Sequence, residues 1–193
     1  MCALLADPGF VDEVWAEVAT LAHEGIDITR HAGRWGGWPL PNVEVGVSAE
    51  DQYWAGLRLP ALEATPAAVR FVSCEPLLGP IDLSRWVGAE FGLDGRWQPA
   101  QTGMVGSAGR ERALDWVIVG GESGHHARPV EEWWIGDLVD QATAGGVPVF
   151  VKQLGTAWAR THGQPGKGTD PAGWPEHLRI RQLPTPARAG VRA

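Results

Sequence analysis

Cysteine is nearly absent from this 193-residue chain, where Cys2 and Cys74 are the only two. They allow at most one disulfide, and a reduced, cytosolic setting is the expectation. Two isolated thiols also fall short of the ligand set of an iron–sulfur cluster or a structural zinc. Long apolar runs are missing too, since nothing approaches the roughly 18 residues that a membrane span requires. The N-terminus, MCALLADPGFVDEVW, has no basic leader and carries acids early, unlike a secretory signal. Positive charge is scarce, with 16 Lys and Arg against 23 Asp and Glu and a net charge of −7. That balance argues against a sequence-independent grip on phosphates, although it leaves room for a locally basic pocket. No Walker loop, nucleophile elbow, dinucleotide fingerprint or fixed-period repeat is present.

What the chain does have is tryptophan, eleven in all. Trp35, Trp38, Trp86, Trp97, Trp158 and Trp174 fall in loop-like surroundings or at element edges. Packing beneath Gly- and Pro-rich loops is the first expectation for them, and stacking on bases or sugars the second.

The length suits one domain with a sizeable core. Residues 3 to 23 repeat apolar side chains at helical spacing, and Asp7-Pro8 divides them, with Asp7 as cap of the second piece. Four apolar runs follow: VEVGVS (43–48), VRFVSCEP (69–76), WVIVGGES (116–123) and VPVFVKQLG (147–155). Helical patterns lie between some of them. One carries Tyr53, Trp54, Leu57 and Leu62 on one side and is broken or kinked at Pro60; another, PVEEWWIGDLVDQATAGG, stops at Gly145-Gly146. The expected fold is α/β: a partial (β/α) barrel or open parallel sheet of about four strands, its near-continuous apolar strands covered on both faces. Residues 1–155 form this half barrel, with a loop insertion at about 88–113, and 156–193 form an irregular C-terminal extension. WPEHLRIRQLP (174–184) is expected to give one short extended piece.

Ligands of parallel α/β sheets bind outside the carboxyl ends of the strands. The four exits offer Ser48, Glu50, Asp51 and Gln52; Ser73, Cys74 and Glu75; Glu122, Ser123, His125 and His126; and Lys152 and Gln153. Glu75, Glu122 and Lys152 are therefore the candidate catalytic groups. Gly120 and Gly121 would let a backbone approach a ligand closely, and Gly124 permits a positive φ. Plainer readings stand beside these. Glu75 can pair with Lys152 as a structural ion pair. Cys74 reads as a buried small hydrophobe rather than a nucleophile. Adjacent histidines usually point apart, so no metal is expected at His125-His126. Arg70 and Arg128 either bind a phosphate or carboxylate or cover the sheet edge.

The stretches WPLPNVEVGVSAEDQ, VRFVSCEPLLGPIDL, DWVIVGGESGHHARPV and GVPVFVKQLG, followed by KGTDPAGWPEHLRIRQLP, together resemble a phage and bacterial family of unknown function. That family is itself similar to radical S-adenosylmethionine enzymes. The resemblance covers most of the chain and is weakest over about 88–113. Family members carry a further N-terminal part, with a cysteine cluster and the first three strands of a partial barrel. The start MCALLADPGF resembles the helix after the third strand, so the likeness is to the C-terminal half, strands four to seven. The resemblance implies S-adenosylmethionine and a 4Fe-4S cluster for full-length relatives, and neither cluster cysteines nor radical chemistry for this chain alone. Ser48, Glu50, Glu75, Glu122 and Lys152 match the family's recurrent polar positions. By position, Ser48 and Glu75 would contact ribose or amino-acid groups of the cofactor, and Glu122 and Lys152 the substrate. The substrate, small molecule or nucleic acid, is left open.

Three functions are carried forward. The first is a truncated or split radical-enzyme-like phage protein that keeps a ligand cleft and docks an upstream N-terminal fragment on its first strand, in the cytoplasm of a bacterial host cell. The second is a non-enzymatic phage accessory protein that binds a host protein or nucleic acid through Trp-rich loops. The third is a cluster-free lyase or hydrolase with Glu75 and Glu122 as acid and base.

Overall fold

Four short runs rich in Val, Ile and Phe become the strands of one parallel sheet. A computed structural model describes residues 7–23, 39–40, 42–100 and 112–184. Its sheet consists of β1 (Glu44–Ser48), β2 (Val69–Cys74), β5 (Trp116–Gly120) and β6 (Val149–Gln153), in the order β1-β2-β5-β6. All three neighbouring pairs run parallel. Among the described residues the sheet is open, a section of a (β/α) barrel rather than a closed one. Between β2 and β5 the chain forms a short helix α3 (Ser84–Val87) and an antiparallel hairpin, β3 (Ala89–Phe91) with β4 (Trp97–Pro99). Part of the expected loop insertion is thus ordered as a hairpin. Residues 101–111 of that insertion lie outside the described residues.

Helix α1 (Pro8–His23) begins as its sequence dictates, with Asp7 Oδ1 accepting from the Gly9 N–H at 2.9 Å. The first helical piece, before Asp7, lies outside the described residues. Helix α2 (Gln52–Glu63) is capped by Asp51, whose carboxylate accepts from Trp54 N. Pro60 lies inside α2 without ending it, because only its last turn follows. The inward stripe of α2 is Ala55, Leu59 and Leu62, while Tyr53 and Leu57 face solvent, 70% and 58% exposed. The expected apolar side of this helix is corrected accordingly. Helix α4 (Glu132–Ala144) buries Ile135, Leu138, Val139 and Ala142. Its fully buried Gln141 ties the β2–β5 connection down, accepting from Leu83 N at 2.6 Å and donating to Ile81 O at 3.0 Å. No helix among the described residues is long and apolar enough to cross a membrane.

Strand side chains alternate between faces. Val72, Cys74, Val117, Val119, Val149 and Val151 are buried with α2 and α4 in one core. The other face carries Phe71, Trp116 and Phe150 in a row, with ring centroids 5.8 and 6.2 Å apart. The Phe71 ring fills the space a Cβ at Gly46 would need. Among the described residues this second face is half-buried. Large aromatics on this face made the strands read as continuously apolar.

The C-terminal extension is largely irregular but shares the core. It opens with α5 (Thr156–Thr161) and continues through two 3-10 turns, Pro171–Gly173 and Glu176–Leu178. Trp158, Trp174 and Leu178 join the buried cluster, so residue 155 does not bound a separate hydrophobic unit. The expected extended piece is a single bridge, Arg181 against Phe150.

Candidate site at the strand ends

Loops leaving the strands bind one another and fix the rim. Leu77 N donates to Gly120 O at 2.8 Å, and Leu78 N to Glu50 O at 2.7 Å. The chain after β2 is thereby pinned between the exits of β1 and β5. Glu75 lies in this span, preceding Pro76 through a cis peptide.

Glu75 is the most deeply buried of the three ion-paired carboxylates of the rim. Its Oε2 lies 3.0 Å from Lys152 Nζ, and its Oε1 accepts from Gln153 Nε2 at 2.8 Å. The carboxylate is largely buried, at 16% exposure, whereas Lys152 is half exposed. Consecutive strand residues normally point to opposite faces. Here the β5–β6 register shifts between Val119 and Gly120, so that Gly120 pairs with Gln153 and Lys152 is passed over. This irregularity lets both Lys152 and Gln153 reach one carboxylate. Gly120 makes room for it, since a Cβ there would come within 3.2–3.3 Å of the Glu75 carboxyl group. Gln153 is buried and also donates to Gly121 O at 3.1 Å. Both neighbours of its nitrogen are acceptors, so the amide orientation is fixed and Oε1 is left buried without a partner.

Gly121 serves a different purpose from the one its sequence suggested. A Cβ there would collide with the Leu154 backbone, so the close approach is to the chain's own β6 exit. Gly155 completes this contact with φ 91, and Thr156 N donates to Glu122 O at 2.8 Å. Gly124 does take a positive φ, 117.

Glu122 is engaged by Arg128 rather than by Lys152. The guanidinium makes a fork of 2.8 and 2.7 Å to its two oxygens, and Arg128 N adds a third bond of 2.7 Å. These bonds, the side-chain pair first and the backbone N–H second, hold the carboxyl at about 2, well below its ordinary value. Ion-paired and partly exposed, this carboxylate is a fixed negative charge, poorly suited to donate a proton near neutrality.

Glu50 forms the third pair. It accepts from Arg58 Nη1 at 3.1–3.3 Å, and the same nitrogen donates to Ser48 O at 2.8 Å. Arg58 lies 4.1 Å over the Trp54 ring. Ser48 is exposed at the end of β1. Cys74 is fully buried, and burial, with the Glu50 charge adding to it, pushes its thiol up to about 12. It behaves as a small apolar side chain. Arg70 is not at the rim: its Nε donates to the Leu62 and Thr65 carbonyls at the end of α2. The rings of His125 and His126 touch edge to face, and no metal-ligating group of three exists among the described residues.

The structure therefore brings Glu75 and Lys152 together, adds Gln153, and separates Glu122 into its own pair. The sequence reading placed Gln153 at a strand exit without assigning it a role. The signal it lacked was the register shift, which no residue type announces. Of the loop tryptophans, Trp86, Trp158 and Trp174 are buried, and Trp97 Nε1 donates to Asp137 at 2.7 Å. Trp35 and Trp38 lie outside the described residues.

No curated protein and no solved structure matches this chain significantly. Residues 11–179, the greater part of the chain, match the model of a family described as a protein of unknown function, DUF5131, and the chain belongs to that family.

Proposed function

We propose that this chain is the ligand-holding half of a two-part α/β enzyme of the radical S-adenosylmethionine kind, working in the cytoplasm of a bacterial host. One observation carries the reading. At the carboxyl ends of β2 and β6, the two strands that flank β5, a largely buried carboxylate is clamped between an ammonium and a buried amide that has an acceptor to spare. A paired Glu75 and Lys152 complement a zwitterionic amino-acid group, such as the methionyl end of S-adenosylmethionine, by exchanging partners with it. Ser48 and Glu50 supply polar contacts nearer β1. Glu122, held by Arg128, orients the loop on the β5 side.

The chain's own residues do not fit a 4Fe-4S cluster. Cys74 is buried and protonated, and no ligand group converges among the described residues. Any cluster would be held by residues other than those described. The open β1 edge, beside exposed Val43, Tyr53 and Leu57, is the surface proposed for the partner half. The accessory-protein reading is less favoured because most described loop tryptophans are packed inward. The cluster-free acid–base reading is less favoured because Glu122 is locked in an ion pair.

Calorimetric titration of the full chain with S-adenosylmethionine tests the proposal. Saturable binding that Glu75→Ala weakens about tenfold or more is expected. No binding by the wild type, or unchanged binding by Glu75→Ala, overturns it.

A further inference from the structure

A concavity lies away from Glu75, where the start of α4 meets α5. It encloses about 600 Å³ and is walled by Glu131, Glu132, Trp133, Trp158, His162 and His177, among others. Trp158 is buried and forms the floor, with the His162 ring stacked on it at 4.2 Å and 13°. Trp158 Nε1 donates to Glu132 Oε1 at 2.6 Å, and His162 Nε2 lies 3.5 Å from the same oxygen. Glu132 Oε2 and the whole Glu131 carboxylate take no hydrogen bond from the described residues. Trp133 is 60% exposed.

The charges of this cleft differ from those of the rim. Glu50, Glu75 and Glu122 each face an Arg or Lys. Among the described residues no Lys or Arg lines the cleft, and its two carboxylates have no Lys or Arg partner there. Acidic residues at a helix start complement the helix dipole, which accounts for their presence in α4. It does not account for an exposed indole beside them, or for a floored cavity with a stacked aromatic wall. Carboxylate oxygens next to open ring faces match a planar organic cation. A guanidinium can stack on an aromatic ring while donating two parallel N–H bonds to a carboxylate.

We infer that this cleft binds a guanidinium group, presented either by a small metabolite or by an arginine side chain of a peptide. Glu131 and Glu132 accept its N–H bonds, and Trp133 and His162 cover its faces. The site is independent of the strand-end rim.

The test uses the full chain and three probes: agmatine, the peptide Gly-Arg-Gly, and Gly-citrulline-Gly as the uncharged isostere. Binding is followed by calorimetry and by the indole N–H resonances of Trp133 and Trp158. A guanidinium probe is expected to bind with a Kd of about 1 mM or tighter. Agmatine binding alone identifies the small-molecule source, and tighter binding of the peptide identifies the arginyl source. Glu132→Gln keeps an acceptor for Trp158 and is expected to weaken binding about tenfold. Trp133→Ala, at an exposed position, should weaken it roughly threefold or more. Glu75→Ala should leave it unchanged, which separates this site from the rim. The inference is overturned if neither guanidinium probe produces a saturable change at about ten times that concentration. Equal binding of the citrulline peptide overturns it as well.

Discussion

The two flanks of the sheet are finished to different degrees. On the β6 flank the outer edge is covered: Val151 N donates to Ile180 O, and Gln182 N to Val149 O, both at 2.9 Å. Arg181 adds side-chain bonds to the Val151 and Lys152 carbonyls, and Val149 N donates to the Gln182 side chain. On the β1 flank, among the described residues, the outward carbonyl of Ser48 accepts from Arg58, and no strand lies beyond it. The same asymmetry runs along the rim, where the Glu75 and Glu122 pairs cluster on the β5–β6 side. An unpaired strand edge templates further pairing, and among the described residues β1 is the edge without such cover, which is the side the proposed partner would use.

The largest effect should come from removing the cover of the closed flank. Trp174 is almost fully buried, and its Nε1 donates to Gly168 O at 3.0 Å. Trp174→Ala should cost about 3–5 kcal/mol in denaturant unfolding. A cost under ~1 kcal/mol would mean that the C-terminal segment does not hold this flank. Next is Gly121→Ala, which forces the β5 and β6 exits apart and should cost about 1–3 kcal/mol while disturbing the Glu75 clamp. A neutral result would show that the exits are not packed backbone to backbone.

Arg128→Ala should return the Glu122 carboxyl to its ordinary value near 4.5, read by carboxyl carbon shifts during an acid titration. The folded value is depressed, so the pair stabilises the fold at pH above the unfolded value. That contribution fades as pH falls through about 4.5 toward about 2. The stability difference between wild type and variant should therefore shrink across this window, and a constant difference would contradict the ion-pair assignment. The smallest effect belongs to the open flank. Tyr53→Ala and Leu57→Ala should each change stability by under ~0.5 kcal/mol in the isolated chain. A larger loss would mean that these side chains already cover something.

Much of this was legible from residue patterns. Short Val- and Ile-rich runs separated by helical segments specified a parallel α/β sheet, and Asp7-Pro8 and Gly145-Gly146 marked a helix start and a helix stop. Glu75 and Lys152 were identified as strand-exit groups, and their ion pair was one of two open readings. What escaped depends on contacts between distant segments. The partner of Glu122 is six residues away, but only the turn through Gly124 brings Arg128 back to it. The role of Gly121 depends on Leu154, which composition cannot announce. The inward face of α2 was misread because Tyr53 and Leu57 are apolar yet point outward, as apolar side chains beside an open edge can. The cleft at the start of α4 was missed because Glu131-Glu132-Trp133 reads locally as an ordinary acidic helix start.

Amide hydrogen exchange along the two edge strands tests the central asymmetry most directly. Just past β1, Ala49 N is bonded inward to Ser73 O, and the β1 amides alternating with it face outward. Those outward amides should exchange far faster than Val151 and Gln182 in the isolated chain, and should slow when a partner docks. Equal, strong protection of both edges in the isolated chain would contradict the account, because the first strand would then already be covered and unavailable for a second polypeptide.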